Sequence, residues 1–275
     1  MMPELPEVET VVRGLRGPLV GRTVLDMWYD WPRTLHSPPP PEFAARIKGQ
    51  RFVGVNRRAK YILCELEHDI LVVHLKMTGR LYVTEDDTED YADKWVHFGL
   101  QLDDSKQLRF SDFRKFGRVY LTHDLDALTA GIGPEPLEDA FTLDVFNERL
   151  AKRHKVIKSL LLDQTFIAGV GNIYADESLH RAGIHPLRRS DSLTAAEITA
   201  LHGTIRAALL DGIAREGASV SWYRKPDGTQ GEMQEHLYVY GREGQPCYTC
   251  GTPIDKIRVG QRGTHYCPGC QPSRI

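Results

Sequence analysis

Four of the chain's five cysteines stand in the order Cys247-x2-Cys250-x16-Cys267-x2-Cys270. No other feature limits so tightly what a segment of this chain can fold into. Each CxxC turn offers two sulfurs, and the residues between the pairs suffice for a hairpin that returns the second pair to the first. The spacing predicts a four-thiolate zinc ribbon. Four protein ligands leave no open coordination position, so the predicted zinc is structural and any chemistry must come from elsewhere. Cys64, inside Tyr61-Ile62-Leu63-Cys64, reads as a small buried hydrophobe. An odd cysteine count without a basic-then-apolar leader argues against a disulfide scaffold and for a reducing cytoplasm. No apolar run reaches the roughly 18 residues of a membrane span.

The remaining pattern divides the chain. Val8, Val11, Val12, Leu15 and Leu19 recur at helical spacing after Pro6, a residue suited to a first turn. From about residue 22 to 122, short β-branched and aromatic runs alternate with turns: Arg51 to Val55, Lys60 to Leu66, Ile70 to Leu75 and Gln107 to Phe110. They predict an antiparallel β domain. His36-Ser37 followed by Pro38 to Pro41 reads as a loop. Residues 123–140, rich in glycine, proline and acid, read as a linker. Helical periodicity returns at Leu143 to Leu150 and Val156 to Gln164. Thr194-x-x-Glu197 is a capping box opening the stripe Ile198, Leu201, Ile205, Leu209, Ile213. The expected organisation is a β domain over 1–122, a linker over 123–140, a helical domain over 141–235 and the zinc segment over 236–275.

Charge first argues against a nucleic-acid partner. Lys and Arg number 35 against 37 Asp and Glu, a net charge of −2, whereas phosphate neutralisation needs basic surface. The bulk count conceals segregation. Acid concentrates in Glu85 to Glu89, Asp103-Asp104 and residues 124–139, all in presumed loops. Base concentrates in Arg57-Arg58-x-Lys60, in Lys152 to Lys155 with Lys158, and in Arg258 to Arg262 within the zinc hairpin. Each cluster alone reads more often as a solvated face. Beside a zinc ribbon they make DNA or RNA a serious reading. Gly169-Val170-Gly171-Asn172 lacks the third glycine of a dinucleotide fingerprint and follows a helix. It predicts a tight helix–turn–helix connection with backbone N–H groups available to a phosphate.

The N-terminal run Met2-Pro3-Glu4-Leu5-Pro6-Glu7 sets a carboxylate directly after a proline that follows methionine. Loss of the methionine would free a secondary α-amine. With a pKa of ~8 such an amine is ~10% neutral at pH 7, whereas a lysine at ~10.4 is only ~0.04% neutral. The terminus is therefore the better nucleophile towards an aldehyde-like carbon, and its iminium product is an electron sink. On residue types alone, a helix-start proline with acidic first-turn residues is the commoner explanation.

The ordered blocks settle the choice of expectation. Pro3-Glu4-Leu5-Pro6-Glu7-Val8-Glu9-Thr10, Arg57-Arg58-Ala59-Lys60-Tyr61, His74-Leu75-Lys76-Met77-Thr78-Gly79, Asp112-Phe113-Arg114-Lys115-Phe116-Gly117, Gly133-Pro134-Glu135-Pro136-Leu137, Gly169 to Ala175 and Gln261-Arg262 span nearly the whole chain. Together they resemble the formamidopyrimidine-DNA glycosylase family, bifunctional repair enzymes for oxidised purines. The resemblance implies an α+β architecture of two domains. An N-terminal antiparallel β-sandwich with an N-terminal helix would precede a helix–two-turn–helix domain carrying the zinc β-hairpin. It implies that Pro3 attacks C1′ of the damaged nucleotide and that the Schiff base supports β,δ-elimination. Glu4 would be the general acid/base, with Glu7 in the same pocket. Lys60 would bind phosphate and donate a proton in β-elimination, and Arg262 would grip phosphate in the δ step. Asn172, Arg153 and Lys158 would hold the backbone, with His97 a further DNA contact. Met77, Arg114 and Phe116 would fill the void left by a flipped nucleotide. The implied partner is damaged double-stranded DNA bound by a monomer, with one structural zinc and no membrane.

Three departures from the family pattern stand out. Two methionines precede Pro3, so translation from Met2 or loss of both is expected. Trp95 stands where relatives often have histidine, and Gly217-Ala218-Ser219 replaces a more hydroxyl-rich segment. Two other readings compete: an endonuclease VIII-like enzyme for oxidised pyrimidines, and a catalytically inactive zinc-ribbon DNA-binding module. Leu5 favours the purine branch, the other having glycine there.

Overall fold

The computed structural model describes residues 2–85 and 93–273. Met1 and most of the acidic run Glu85 to Glu89 lie outside the described residues. The chain forms two compact units. The first joins the residues up to Ala130 with Arg215–Glu232, and the second joins Gly131–Ala214 with the residues from Met233 on. The 215–232 segment thus belongs to the β unit, although sequence order sets it among the helices.

Unit one opens with helix α1 (Leu5–Leu19). Its predicted stripe is buried: Val12, Leu15 and Leu19 have no exposed surface. Two sheets follow. One runs β1-β7-β8-β6, from strands Val24–Tyr29, Val96–Leu102, Lys106–Asp112 and Gly79–Glu85, all antiparallel. The other runs β2-β9-β5-β4-β3, from Leu35–Ser37, Arg118–Thr122, Ile70–His74, Tyr61–Leu66 and Phe52–Arg58. Its β2–β9 pair is parallel and the rest antiparallel. Alternating strand residues such as Phe52, Ile62, Val73, Phe98 and Phe110 share one core with α1. Cys64 is buried there, which pushes its thiol up to about 12.

Two loop expectations need correction. Pro40 and Pro41 open helix α2 (Pro40–Ile47). At the first two helical positions a missing N–H costs nothing, so the residues that bar a strand here start a helix. The 123–140 linker holds a short helix, α3 (Leu125–Thr129), whose Ala127 N–H donates to the Asp124 carboxylate at 2.9 Å.

Unit two contains α4 (Leu143–Ala151), α5 (Ile157–Leu161), α6 (Asn172–Arg181) and α7 (Ala195–Ala214). The predicted capping box is present: Thr194 N–H donates to Glu197 at 2.8 Å, and Glu197 N–H donates to Thr194 Oγ1 at 3.2 Å. The β10–β11 hairpin (Asp255–Val259, Arg262–Tyr266) turns on Gly260-Gln261. Both turn residues have positive φ, +52° and +64°, as the tightest twisted hairpin turns require.

Two neighbouring carboxylates on α6 fasten this hairpin segment. Asp176, fully buried, receives the Lys158 ammonium at 2.6 Å and the His265 N–H at 3.0 Å. Glu177, also without exposed surface, accepts the N–H groups of Tyr238, Val239 and Tyr240 at 2.9 to 3.0 Å. A glutamine keeps the shape but offers only one acceptor oxygen and turns two donors on backbone donors. Glu177→Gln should therefore lower unfolding free energy by about 2–4 kcal/mol, read by denaturant melting. An unchanged midpoint would show that the three amides find other partners.

Candidate active site

Helix α1 begins two residues beyond Pro3, and its capping groups are the two acidic candidates. Glu4 is the N-cap, and its side chain accepts the Glu7 backbone N–H. Glu7 Oε2 accepts the Glu4 N–H at 2.8 Å. Glu7 Oε1 accepts the Ala218 N–H at 2.8 Å. Pro3, Glu4 and Glu7 are all buried, the two carboxylates at 1% exposure. Glu7 is thus bonded through both oxygens and fixes the residue beside Pro3. Its anchor on Ala218 is a backbone group, which no side-chain motif could have revealed. Gly217 adopts φ +82° beside it, and a Cβ there would meet Glu7 Cγ at 2.9 Å. Glycine is required at this contact.

Lys60 lies in the β3–β4 turn, 4% exposed, after Ala59 at φ +53°. Arg57 reaches across to Glu9 of α1 at 3.3 Å and to the Ala59 carbonyl at 2.9 Å. That ties the turn to the helix carrying Glu4. His74, which sequence reasoning assigned no role, packs edge-on against Tyr61. Burial and the charges of Lys76 and Lys60 depress it to about 3. It stays neutral, and its Nδ1 accepts the Lys76 N–H at 3.0 Å.

The three predicted void-filling residues meet. Arg114 Nη1 contacts Met77 Sδ at 3.0 Å, and its guanidinium lies 4.7 Å from the Phe116 ring centre. Phe116 is 46% exposed, so its ring is not part of the core. Asp112 builds this finger and was not foreseen. Its carboxylate accepts the Gly117 N–H at 2.6 Å, the Arg114 N–H at 3.3 Å and the Thr78 hydroxyl. The aspartate ends a strand, so its sequence signature is only a turn.

In unit two, Asn172 starts α6 and donates from Nδ2 to the Gly263 carbonyl at 2.9 Å. This sets it beside the hairpin turn where Arg262 is exposed. Arg153 is half-buried. Two of the expected DNA contacts, Lys158 and His97, are buried. Lys158 has no exposed surface, and its ammonium is spent on Asp176 and the Asn172 carbonyl at 2.8 Å. It positions the turn from within. His97 is 5% exposed and held by Asp30 at 2.7 Å. The turn's N–H groups are also partly used: Gly169 donates to Gln164 Oε1 and Val170 to the Ala168 carbonyl, each at 3.0 Å.

The four predicted cysteine sulfurs lie within 4.8 Å of one another. Cys247 and Cys270 are 3.8 Å apart, and Cys250 lies 3.4 Å from Cys267 and from Cys270. Thiolates about 2.3 Å from a tetrahedral zinc are spaced on the order of 3.8 Å, so the donor set fits one zinc ion. Thr249 and Cys270 N–H groups reach Cys247 and Cys267 sulfurs at 3.4 Å. Among the described residues, no helix is long and apolar enough to cross a membrane.

Comparison with known proteins agrees with this geometry. Residues 2–119 match the formamidopyrimidine-DNA glycosylase N-terminal domain, 132–224 its H2TH domain, and 244–272 the zinc finger found in FPG and IleRS. The formamidopyrimidine-DNA glycosylase of Chloroflexus aggregans is 52% identical over 98% of both chains. That of Symbiobacterium thermophilum is 48% identical, over 98% of this chain and 90% of its own. A Lactococcus lactis FPG mutant, solved in complex with a Fapy-dG containing DNA, superposes with a TM-score of 0.92 at 37% identity. It covers 98% of this chain and all of its own. MutM in complex with carbocyclic 8-oxo-G containing DNA gives 0.90 at the same identity, with coverage of 98% and 100%. The α+β reading, the zinc segment and the ordered motifs therefore converge, and the chain belongs to the formamidopyrimidine-DNA glycosylase family.

Proposed function

We propose that this chain is a base-excision-repair DNA glycosylase and AP lyase acting on oxidised purines, 8-oxoguanine and formamidopyrimidines, in duplex DNA. The observation that carries the reading is the buried Pro3-Glu4 pair, fixed by Glu7 at the start of α1. In a chain beginning at Pro3, the proline nitrogen attacks C1′ and the bond to the damaged base breaks. Glu4 moves protons between the amine and the sugar oxygen as the ring opens. The C1′ iminium then acidifies C2′. Loss of that proton expels the 3′ phosphate, and a second elimination expels the 5′ phosphate. Lys60 binds phosphate and supplies a proton in the first elimination. Arg262, presented by the hairpin, binds phosphate in the second, and Asn172 and Arg153 hold the backbone. Zinc, when bound, fixes the hairpin and takes no part in the chemistry.

Met77, Arg114 and Phe116 fill the gap left when the lesion nucleotide leaves the stack, at a cost of a few kcal/mol. The enzyme acts as a monomer in the cytoplasm. Related names support this reading, since the relatives are formamidopyrimidine-DNA glycosylases and the solved complexes contain Fapy-dG, 8-oxo-G or abasic-site DNA. A lesion panel tests it. Duplexes with 8-oxoguanine should be excised and nicked faster than duplexes with thymine glycol. The reverse order would assign the chain to oxidised pyrimidines, and no reaction on either would leave a binding module.

A further inference from the structure

One side chain of α6 reaches the zinc segment and has no part in the chemistry above. His180 is 6% exposed, and its Nε2 lies 3.6 Å from Sγ of the buried Cys247. Sulfur is larger than oxygen, so this separation is still a hydrogen-bond distance. The backbone bonds to the sulfurs, from the Thr249 and Cys270 N–H groups, come from inside the zinc segment. His180 instead arrives from a helix 67 residues earlier in the chain. It stands one turn beyond Asp176 and Glu177, which hold the His265 and Val239 N–H groups. Residues three and four apart share a helix face, so one face of α6 grips the zinc segment at three places. The Tyr238 ring lies against the imidazole, 5.7 Å between centres and tilted by 31°.

The chemistry of the pair fixes the direction of the bond. A zinc-bound cysteine is a thiolate, with lone pairs and no proton to donate. A neutral imidazole carries its proton on one nitrogen only. His180 Nδ1 is buried and has no hydrogen-bond partner among the described residues. A proton on Nδ1 would leave a buried donor unpaired and turn the Nε2 lone pair towards a negative sulfur. A proton on Nε2 meets that charge and leaves only an acceptor unpaired, the less costly arrangement. We propose that His180 is a positioning residue of the zinc site: its Nε2–H donates to the Cys247 thiolate, stabilises the negative charge there and holds the metal site to α6. Cys250 is exposed, and Cys270 borders a cavity of about 340 Å³ together with His180 and Tyr238. A chelator therefore has access from that side, and retention of the metal falls to the buried thiolates, Cys247 and Cys267.

The test compares the full chain as wild type, His180→Phe and His180→Gln. Phenylalanine keeps a ring against Tyr238 and loses the donor. Glutamine loses the ring and restores an N–H near the Nε2 position. Removing the outer partner of a metal ligand costs about 10- to 100-fold in metal affinity. Zinc affinity, read by competition with a chelator of known affinity, should fall by that factor in His180→Phe and return most of the way in His180→Gln. Cobalt(II)-substituted chains give a second reading. A thiolate that loses a hydrogen bond holds its electrons at higher energy. The sulfur-to-cobalt charge-transfer band of His180→Phe should therefore move to longer wavelength, and that of His180→Gln should stay near wild type. Wild-type affinity and band position in His180→Phe would make the imidazole a packing group and overturn the proposal. So would equal losses of affinity in both variants, because ring shape and not the N–H would then matter. A wild-type chain that takes up no zinc would overturn the metal assignment itself.

Discussion

Glu4→Gln should lower turnover on an 8-oxoguanine duplex by about a hundred- to ten-thousand-fold, the range typical of a positioned acid/base. Folding should change little. Glu4 contributes a side-chain oxygen to the first turn of α1 by accepting the Glu7 N–H, and the amide oxygen of glutamine can accept the same bond. The Glu4 backbone N–H still donates to Glu7 Oε2. What the substitution removes is a group able to take and return a proton beside Pro3. Single-turnover rates and thermal melting on the same preparation separate the effects. A slow variant with wild-type Tm and wild-type binding of an abasic duplex is the expected result. A variant that is slow because it melts early would make Glu4 a cap and nothing more.

Loss of zinc should abolish tight DNA binding while the β unit stays folded. Cys267 has no exposed surface, and its sulfur is within 3.4 Å of Cys250. Cys267→Ser removes one of four thiolates from a site whose metal supplies folding free energy, about 10–16 kcal/mol in isolated zinc-finger peptides. The hairpin's other fastenings, Asp176 to His265 and Asn172 to Gly263, then act on a segment without its own core. Arg262 loses its rigid mount. Affinity for a lesion duplex should fall more than about ten-fold, as expected when several phosphate contacts are lost together. Metal analysis should show less than one zinc per chain. Far-UV circular dichroism should retain its strand signal. Wild-type affinity in a zinc-free chain would contradict this assignment.

Much of the site was legible because its residues sit in contiguous blocks. Pro3 and Glu4 are adjacent, the cysteine pairs are periodic, and Met77 and Arg114 flank recognisable turns. Side chains whose meaning depends on distant neighbours were not. Lys158 reads as one cation of a basic run, yet Asp176, eighteen residues on, buries it. His97 looks like a polar strand residue and is taken by Asp30, 67 residues earlier. The reach from Glu7 to the Ala218 amide spans 211 residues and uses a backbone donor, which carries no residue-type signal at all. Strands β1, β2, β6, β7 and β9 were passed over individually because their apolar residues are interrupted by bulges and charged edges. The overall β character was legible from the runs around them.

The central claim is that the proline nitrogen, and no lysine, makes the bond to the sugar. Borohydride trapping on an 8-oxoguanine duplex followed by peptide mass mapping tests it directly. A chain beginning at Pro3 should yield one covalent DNA adduct located at the Pro3 nitrogen. The same chain retaining Met2, with Pro3 locked in a peptide bond, should yield none. An adduct mapped to Lys60, or trapping of equal strength with Met2 retained, would contradict the account.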